Sequence, residues 1–63
     1  MMRSYRMPSL DRAHYLAGIL EGAQIHAHAE MRAFQPLLVV ACDRRDLTDA
    51  IACIEPQAQL VLS

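Results

Sequence analysis

The sequence predicts a small single domain of the α+β class, with the element order α-β-β-α-β. Three observations lead to this prediction: a first helical segment that stops at a glycine, a strictly alternating segment followed by a continuous apolar run, and a second helical segment that stops at a proline. We expect an antiparallel hairpin plus a third strand, with the helices on one face of the sheet. The chain has 63 residues; we place the domain at residues 9–63 and a flexible N-terminal arm at residues 1–8.

The first helix is predicted over residues 10–21, with Ser9 as its N-cap and Gly22 as its stop. At 3.6 residues per turn, two separate sides of this helix are apolar, whereas a surface helix normally has one. Tyr15 and Ile19 lie on the second side, next to Gly18 and Gly22. The first side is an arc of five residues: Leu10, Ala13, Leu16, Ala17 and Leu20. We therefore expect this helix to be covered on two sides.

The hairpin is predicted from two consecutive patterns. Polar and apolar residues alternate strictly over residues 24–32, which is typical of a half-exposed strand. Residues 37–42 form a continuous apolar run, which indicates a central strand buried on both faces. Residues 33–36 connect the two strands as a turn.

The second helix is predicted over residues 44–55, with Asp43 as N-cap and Pro56 as terminator. Its apolar residues recur at helical spacing and form one stripe: Leu47, Ala50, Ile51 and Ile54. The tail, residues 58–62, reads as a short third strand.

Composition limits the function classes. The formal net charge is −1, which is not the basic signature of a nucleic-acid-binding protein. Hydrophobic residues make up 54% of the chain, more than so small a monomer can hide, so we expect oligomerisation. Cys42 and Cys53 are predicted to be buried free thiols. The sequence shows neither a secretory leader nor a run of about 20 apolar residues, so we expect a cytoplasmic protein with no membrane contact.

Residues 16–24 read Leu-Ala-Gly-Ile-Leu-Glu-Gly-Ala-Gln. From Tyr15 to Gly22 this segment resembles the signature helix of the LAGLIDADG homing endonucleases, and the predicted elements agree with that family's order over residues 9–63. In the family, the signature helices of two domains pack against each other through small residues. The resemblance therefore implies a homodimer through the first helix, with an interface formed by Tyr15, Ala17, Gly18, Ile19 and Gly22.

The family's chemistry is not expected here. Where the family has a metal-binding catalytic acid, this chain has Ala23, whose side chain offers no oxygen ligand. Glu21 matches an earlier, non-catalytic acid of the family and points elsewhere on the helix. We therefore predict no nuclease activity, no catalytic residue, no metal or other cofactor, and no small-molecule substrate.

The alternating segment supplies a polar face that we predict to bind a partner. His26 and His28 could together hold a metal, but their spacing matches no structural zinc motif. The predicted partner-binding residues are Gln24, His26, His28, Glu30, Arg32, Arg44 and Arg45.

Together these features predict a non-catalytic interaction module, a homodimer that binds a macromolecule. A protein partner is favoured over DNA because the acidic balance neutralises few phosphates. Small acidic proteins of this kind are common in phages and mobile elements, where they act as inhibitors or accessory proteins. The alternative is a sequence-specific DNA-binding regulator on a nuclease-dead LAGLIDADG-like scaffold. The third hypothesis is an enzyme, either a cryptic metal-dependent nuclease or a small metal-dependent catalyst built on His26 and His28.

Overall fold

A computed structural model describes residues 2–62, so that Met1 and Ser63 lie outside the described part of the chain. Its elements follow the order β-α-β-β-α-β: β1 Met2–Arg6, α1 Leu10–Gly22, β2 His26–Arg32, β3 Gln35–Ala41, α2 Leu47–Ile54 and β4 Gln59–Leu60. The strands form one sheet in the order β2-β3-β1-β4, and every neighbouring pair is antiparallel. This is the split β-α-β, or ferredoxin-like, topology. The predicted α+β class is confirmed.

The expected flexible arm is wrong for residues 2–8. Residues 2–6 form β1, which lies inside the sheet between β3 and β4, so the sheet has four strands rather than three. Tyr5 pairs with Leu38 on one side and with Leu60 on the other. The segment forms a strand because its side chains alternate between the two sides of the sheet. Tyr5 and Met7 point into the core and are almost fully buried.

Helix α1 begins as predicted and ends by a different device. The Ser9 hydroxyl accepts a hydrogen bond from the Arg12 amide at 3.1 Å, which caps the first turn. At the other end the helix continues through Gly22. It closes with paired bonds from the Ile25 amide to the Leu20 carbonyl, 2.9 Å, and from the Gln24 amide to the Glu21 carbonyl, 3.0 Å. This Schellman closure places Gln24 in the left-handed region, with φ 67°.

The predicted hairpin is present as β2 and β3, joined by the two-residue loop Ala33–Phe34. Both loop residues have positive φ, 51° and 66°, as a type I′ turn requires. Strand β3 is buried on both faces, as predicted. Its Leu38 and Val40 face the helices, and Leu37 and Val39 face the other way; all four are among the buried hydrophobic residues.

Helix α2 begins at Leu47, later than predicted, and Asp43 is not its cap. The cap position belongs to Asp46, whose side chain makes no capping bond. Its carboxylate is instead held by Arg44, at 2.8 and 3.1 Å. The helix presents Leu47 and Ile51 to the core.

One apolar cluster between the helices and a single face of the sheet holds the fold together. Its ten residues are Tyr5, Met7, Ala13, Leu16, Ala17, Leu20, Leu38, Val40, Leu47 and Ile51. One polar contact links the sheet to α2, where the Tyr5 hydroxyl lies 2.9 Å from that of Thr48. A second links the two helices, where Arg12 Nε donates to Glu55 Oε1 at 2.8 Å. Cys53 is exposed and Cys42 is partly buried, so the expectation of two buried thiols is wrong.

Candidate functional site

The sheet face that points away from the helices carries most of the predicted polar face. Successive residues of a strand point to opposite sides, and Ala27 and Ala29 pack against the core. The intervening residues therefore line the outer side, which we call the open face; from β2 it receives His26, His28, Glu30 and Arg32. Gln24 is not part of this face, because the left-handed turn after α1 holds it before β2 begins.

Glu30 is the centre of a hydrogen-bonded group on the open face. Its Oε1 lies 2.9 Å from His28 Nε2, and its Oε2 accepts from Arg32 Nη2 at 2.7 Å and from Arg32 Nε at 3.0 Å. The hydrogen bond with His28 lowers the pKa of Glu30, and those from Arg32 lower it further. Both carboxylate oxygens are therefore engaged, which leaves little negative charge for a cation from outside.

Sequence analysis missed Arg6 as a residue of the open face. The register places Arg6 opposite Leu37, and Leu37 opposite Glu30, so the three residues share one side of the sheet. Arg6 is exposed, and within residues 2–62 it forms no ion pair. The signal that could have found it is the alternation of Ser4 and Arg6 with Tyr5 and Met7.

Charge is unevenly distributed between the two layers. The open face carries Arg6 and Arg32 against the single carboxylate of Glu30. The other acidic residues belong to the helices and to the loop and turn next to α2: Asp11, Glu21, Asp43, Asp46, Asp49 and Glu55. A chain of net charge −1 thus presents a cationic sheet face.

Arg44 and Arg45 lie in the loop after β3, at the end of the sheet where His26 pairs with Ala41. Arg32 pairs with Gln35 at the start of β3, so a strand length of about 20 Å separates it from this loop. Arg44 is hydrogen-bonded to Asp46. This bond lowers the pKa of the Asp46 carboxyl and raises the pKa of the Arg44 guanidinium. The Arg44 carbonyl accepts from Arg3 Nη1 at 2.9 Å.

The outer side of α1 carries four of the five predicted dimer residues. Tyr15 and Ile19 are 54% and 38% exposed, and Gly18 and Gly22 are exposed beside them. Ala17 is the exception: it belongs to the core cluster, so it is not available to a second chain. Arg12 lies over the Tyr15 ring, 4.7 Å from its centroid, and fixes that ring on the outer side.

The remaining polar residues show structural roles. Glu21 Oε1 accepts from the Ala27 amide at 3.1 Å, so it covers one outward amide of the edge strand β2. Within residues 2–62, no three His, Cys, Asp or Glu side chains lie close enough together to hold a metal ion. Neither described helix has the length and apolar character that a membrane crossing requires.

Comparison of the chain with protein-family models, curated proteins and solved structures found no match. The resemblance of residues 15–22 to the LAGLIDADG signature helix stays a prediction.

Proposed function

We propose that this protein is a non-catalytic interaction module, a homodimer formed through α1 that binds a protein partner on the side of its sheet. The observation that carries the proposal is the placement of the two glycines. Both lie in α1, neither has positive φ, and a methyl group added at either would meet no atom within 4 Å.

Gly18 lowers the stability of α1 in the single chain. In a helix interior Gly is less favourable than Ala by about 0.8–1.0 kcal/mol, and Gly22 is the last residue of the same helix. Neither the backbone conformation nor the packing of the chain requires the absence of a side chain at Gly18 or Gly22. A close approach by another backbone does require it, and this is the usual benefit of small residues four apart on a helix.

A second copy of the chain is the partner that this side of α1 fits best. Tyr15 and Ile19 project beside the bare backbone at Gly18 and Gly22, so the surface offers both knobs and holes and can complement itself about a two-fold axis. Apolar surface buried this way also helps a domain of 63 residues, whose own core is small for independent stability.

The open face remains free in such a dimer and is the surface offered to a protein partner. It offers the charged groups of Arg6 and Arg32 rather than apolar surface, because Leu37 and Val39 are only 6% and 5% exposed. Charged groups at the rim favour specific docking over simple apolar association. A phage-type inhibitor or accessory protein, acting in the cytoplasm, has this combination of small size and two interaction surfaces.

The second candidate is a DNA-binding regulator, which the cationic open face favours. Two arginines, and the two histidines when protonated, can contact phosphates. Against it, the open face carries only Arg6 and Arg32 against the carboxylate of Glu30, and Arg32 is already paired with that carboxylate, so the face can neutralise few phosphates. A steep loss of affinity for duplex DNA with rising salt would favour this candidate.

The dimer is tested by sedimentation equilibrium on the wild type, on Gly18→Leu, and on Ala52→Leu as a matched control. Ala52 is an exposed small residue of the other helix, α2. Gly18→Leu should raise the dissociation constant at least about a hundredfold, because its side chain forces the facing helix away. Ala52→Leu should leave the constant unchanged, and circular dichroism should show both variants folded. A monomeric wild type, or a Gly18→Leu dimer of undiminished affinity, contradicts the proposal.

A further inference from the structure

The tip of the β2–β3 hairpin is the most exposed and least favourable apolar feature of the described chain. Phe34 is 96% exposed, more than any other large hydrophobic side chain among residues 2–62. It also holds a left-handed backbone conformation, with φ 66°. For a bulky residue this conformation is a genuine outlier, and an aromatic ring in water adds a separate cost.

Other residue types would form this turn with much less backbone strain. A two-residue type I′ turn needs positive φ at both positions, and Asn-Gly satisfies this need almost without strain. The chain instead has Ala33 with φ 51° and Phe34 with φ 66°. Since Phe34 is 96% exposed, the ring returns almost no packing energy to the domain. Strained residues of this type persist where they serve a contact outside the fold.

The surroundings of the tip indicate the chemistry of that contact. Arg32 is the last residue before the turn, and Arg6 lies on the open face two strands from Glu30, at the same end of the sheet. Glu30, the open face's one carboxylate, already bonds His28 and Arg32 with both of its oxygens. The tip therefore presents an aromatic ring beside net positive charge.

We propose that this tip is a recognition element, in which Phe34 inserts into an apolar pocket of a protein partner whose rim carries carboxylates that face Arg6 and Arg32. The proposal rests on the proposed function, since it assumes that the module binds a protein. It assigns the central contact to Phe34 rather than to the polar side chains of β2. An aromatic anchor in a desolvated pocket with charges at its rim is the usual composition of a binding hot spot.

The test uses phage-displayed random peptides selected on the full wild-type chain. Selected peptides should combine aromatic or aliphatic residues with Asp or Glu. Their affinity, measured with purified peptide, should fall at least about tenfold for Phe34→Ala and for the double variant Ala33→Asn/Phe34→Gly. Ile54→Ala, which truncates a hydrophobic residue of α2 that is 39% exposed on the helix side of the sheet, is the control and should leave affinity unchanged. Arg6→Glu should weaken binding and reduce its salt dependence.

A second readout does not depend on any partner. Because Asn-Gly suits the type I′ turn, the double variant should melt about 4–8 °C higher than the wild type. A melting temperature that does not rise would show that the tip costs the fold nothing, which removes the reason for the proposal. The rise also shows that any loss of binding is not a failure to fold.

Three further outcomes would overturn the proposal. One is a selection that yields no binding peptide, and another is a set of peptides that bind the Phe34 variants as tightly as the wild type. The third is duplex DNA whose binding depends on Phe34, which would assign the tip to nucleic acid. Failure of the homodimer is a separate result, because Gly18→Leu alters α1 and leaves Phe34 unchanged; sedimentation distinguishes it from all three.

Discussion

The two glycines of this chain do not lie at the three described positions whose left-handed backbone conformation favours glycine. Gly18 and Gly22 lie in ordinary helical conformation with open space around them. Within residues 2–62, the left-handed backbone positions are instead occupied by Gln24, Ala33 and Phe34. Alanine at Gly18 and glycine at Gln24, Ala33 or Phe34 would each improve the local fit.

This comparison indicates which sites of the chain are suited to contacts with another molecule. A sequence under selection for stability alone agrees with its backbone at each level, and departures from that agreement mark functional sites. On α1 the departure removes side chains and leaves bare backbone beside Tyr15 and Ile19, which suits the close approach of another helix. At the hairpin tip the departure adds a large side chain, which suits insertion into a partner. The two surfaces are therefore suited to different kinds of contact.

The largest effects on stability and on dimer affinity are expected from replacing the two glycines of α1 with alanine. Gly18→Ala together with Gly22→Ala should stabilise the monomer by roughly 1 kcal/mol, most of it from Gly18, because Ala is the better former of a helix interior and Gly22 is the last residue of α1. Both positions have room for a methyl group. The same change should weaken the dimer, because it holds the facing backbones apart. Urea unfolding at low protein concentration measures the first quantity, and sedimentation measures the second.

The opposite signs of these two effects are the important result. A double variant that is more stable as a monomer and dimerises as tightly as the wild type would place the interface elsewhere. A variant with lower monomer stability would show that the glycines serve the chain's own packing, which the open space around them argues against.

A smaller effect is expected at Gln24, which supplies the internal reference for the hairpin tip. Gln24→Gly relieves a left-handed residue at φ 67° and should stabilise the fold by about 0.5–1 kcal/mol, after allowance for the greater freedom of Gly in the unfolded chain. Urea unfolding measures it. Because Gln24 belongs to neither proposed contact, the variant should keep both dimer and peptide binding. Loss of either would mean that left-handed residues in general, rather than Phe34 in particular, support the contacts.

Sequence reasoning succeeded where local signals and burial agree. The Ser9 cap, the hairpin and the doubly buried β3 each follow from a pattern that tertiary structure does not oppose. The prediction failed at β1, because this segment is short and carries charged residues. Only its pairing with β3 and β4 makes it a strand. Because β1 was not predicted, Arg6 was not assigned to the open face.

The candidate site was only partly predictable for the same reason. Alternation in β2 was enough to place His26, His28, Glu30 and Arg32 on one face. Nothing in the sequence distinguished Phe34 from an ordinary turn residue, since its exposure and left-handed backbone arise from the register of the hairpin. Conversely, Ala17 matched the resemblance and yet lies in the core, because the helix turns that residue toward the sheet.

The smallest effect is expected from the titration of Glu30, and it separates charge from backbone strain near the tip. Hydrogen bonding with His28 and from Arg32 lowers the pKa of Glu30 below its ordinary value of 4.5. The folded carboxylate therefore binds its proton less readily than the unfolded one. Its stabilising contribution is fully present above about pH 4.5 and is lost as the pH falls through the lowered pKa. Because the group is exposed, the contribution is small.

Glu30→Gln isolates this contribution. The stability difference between wild type and Glu30→Gln, from urea unfolding, should be measurable near neutral pH and should shrink in acid, while other titrating groups such as Asp46 cancel in the subtraction. The gain from Ala33→Asn/Phe34→Gly should be the same at both pH values, because the preference of a backbone for glycine does not titrate. If that gain instead fades in acid together with the Glu30 difference, the tip is held in its left-handed conformation by the charges beside it, and its strain is not an independent property of the turn.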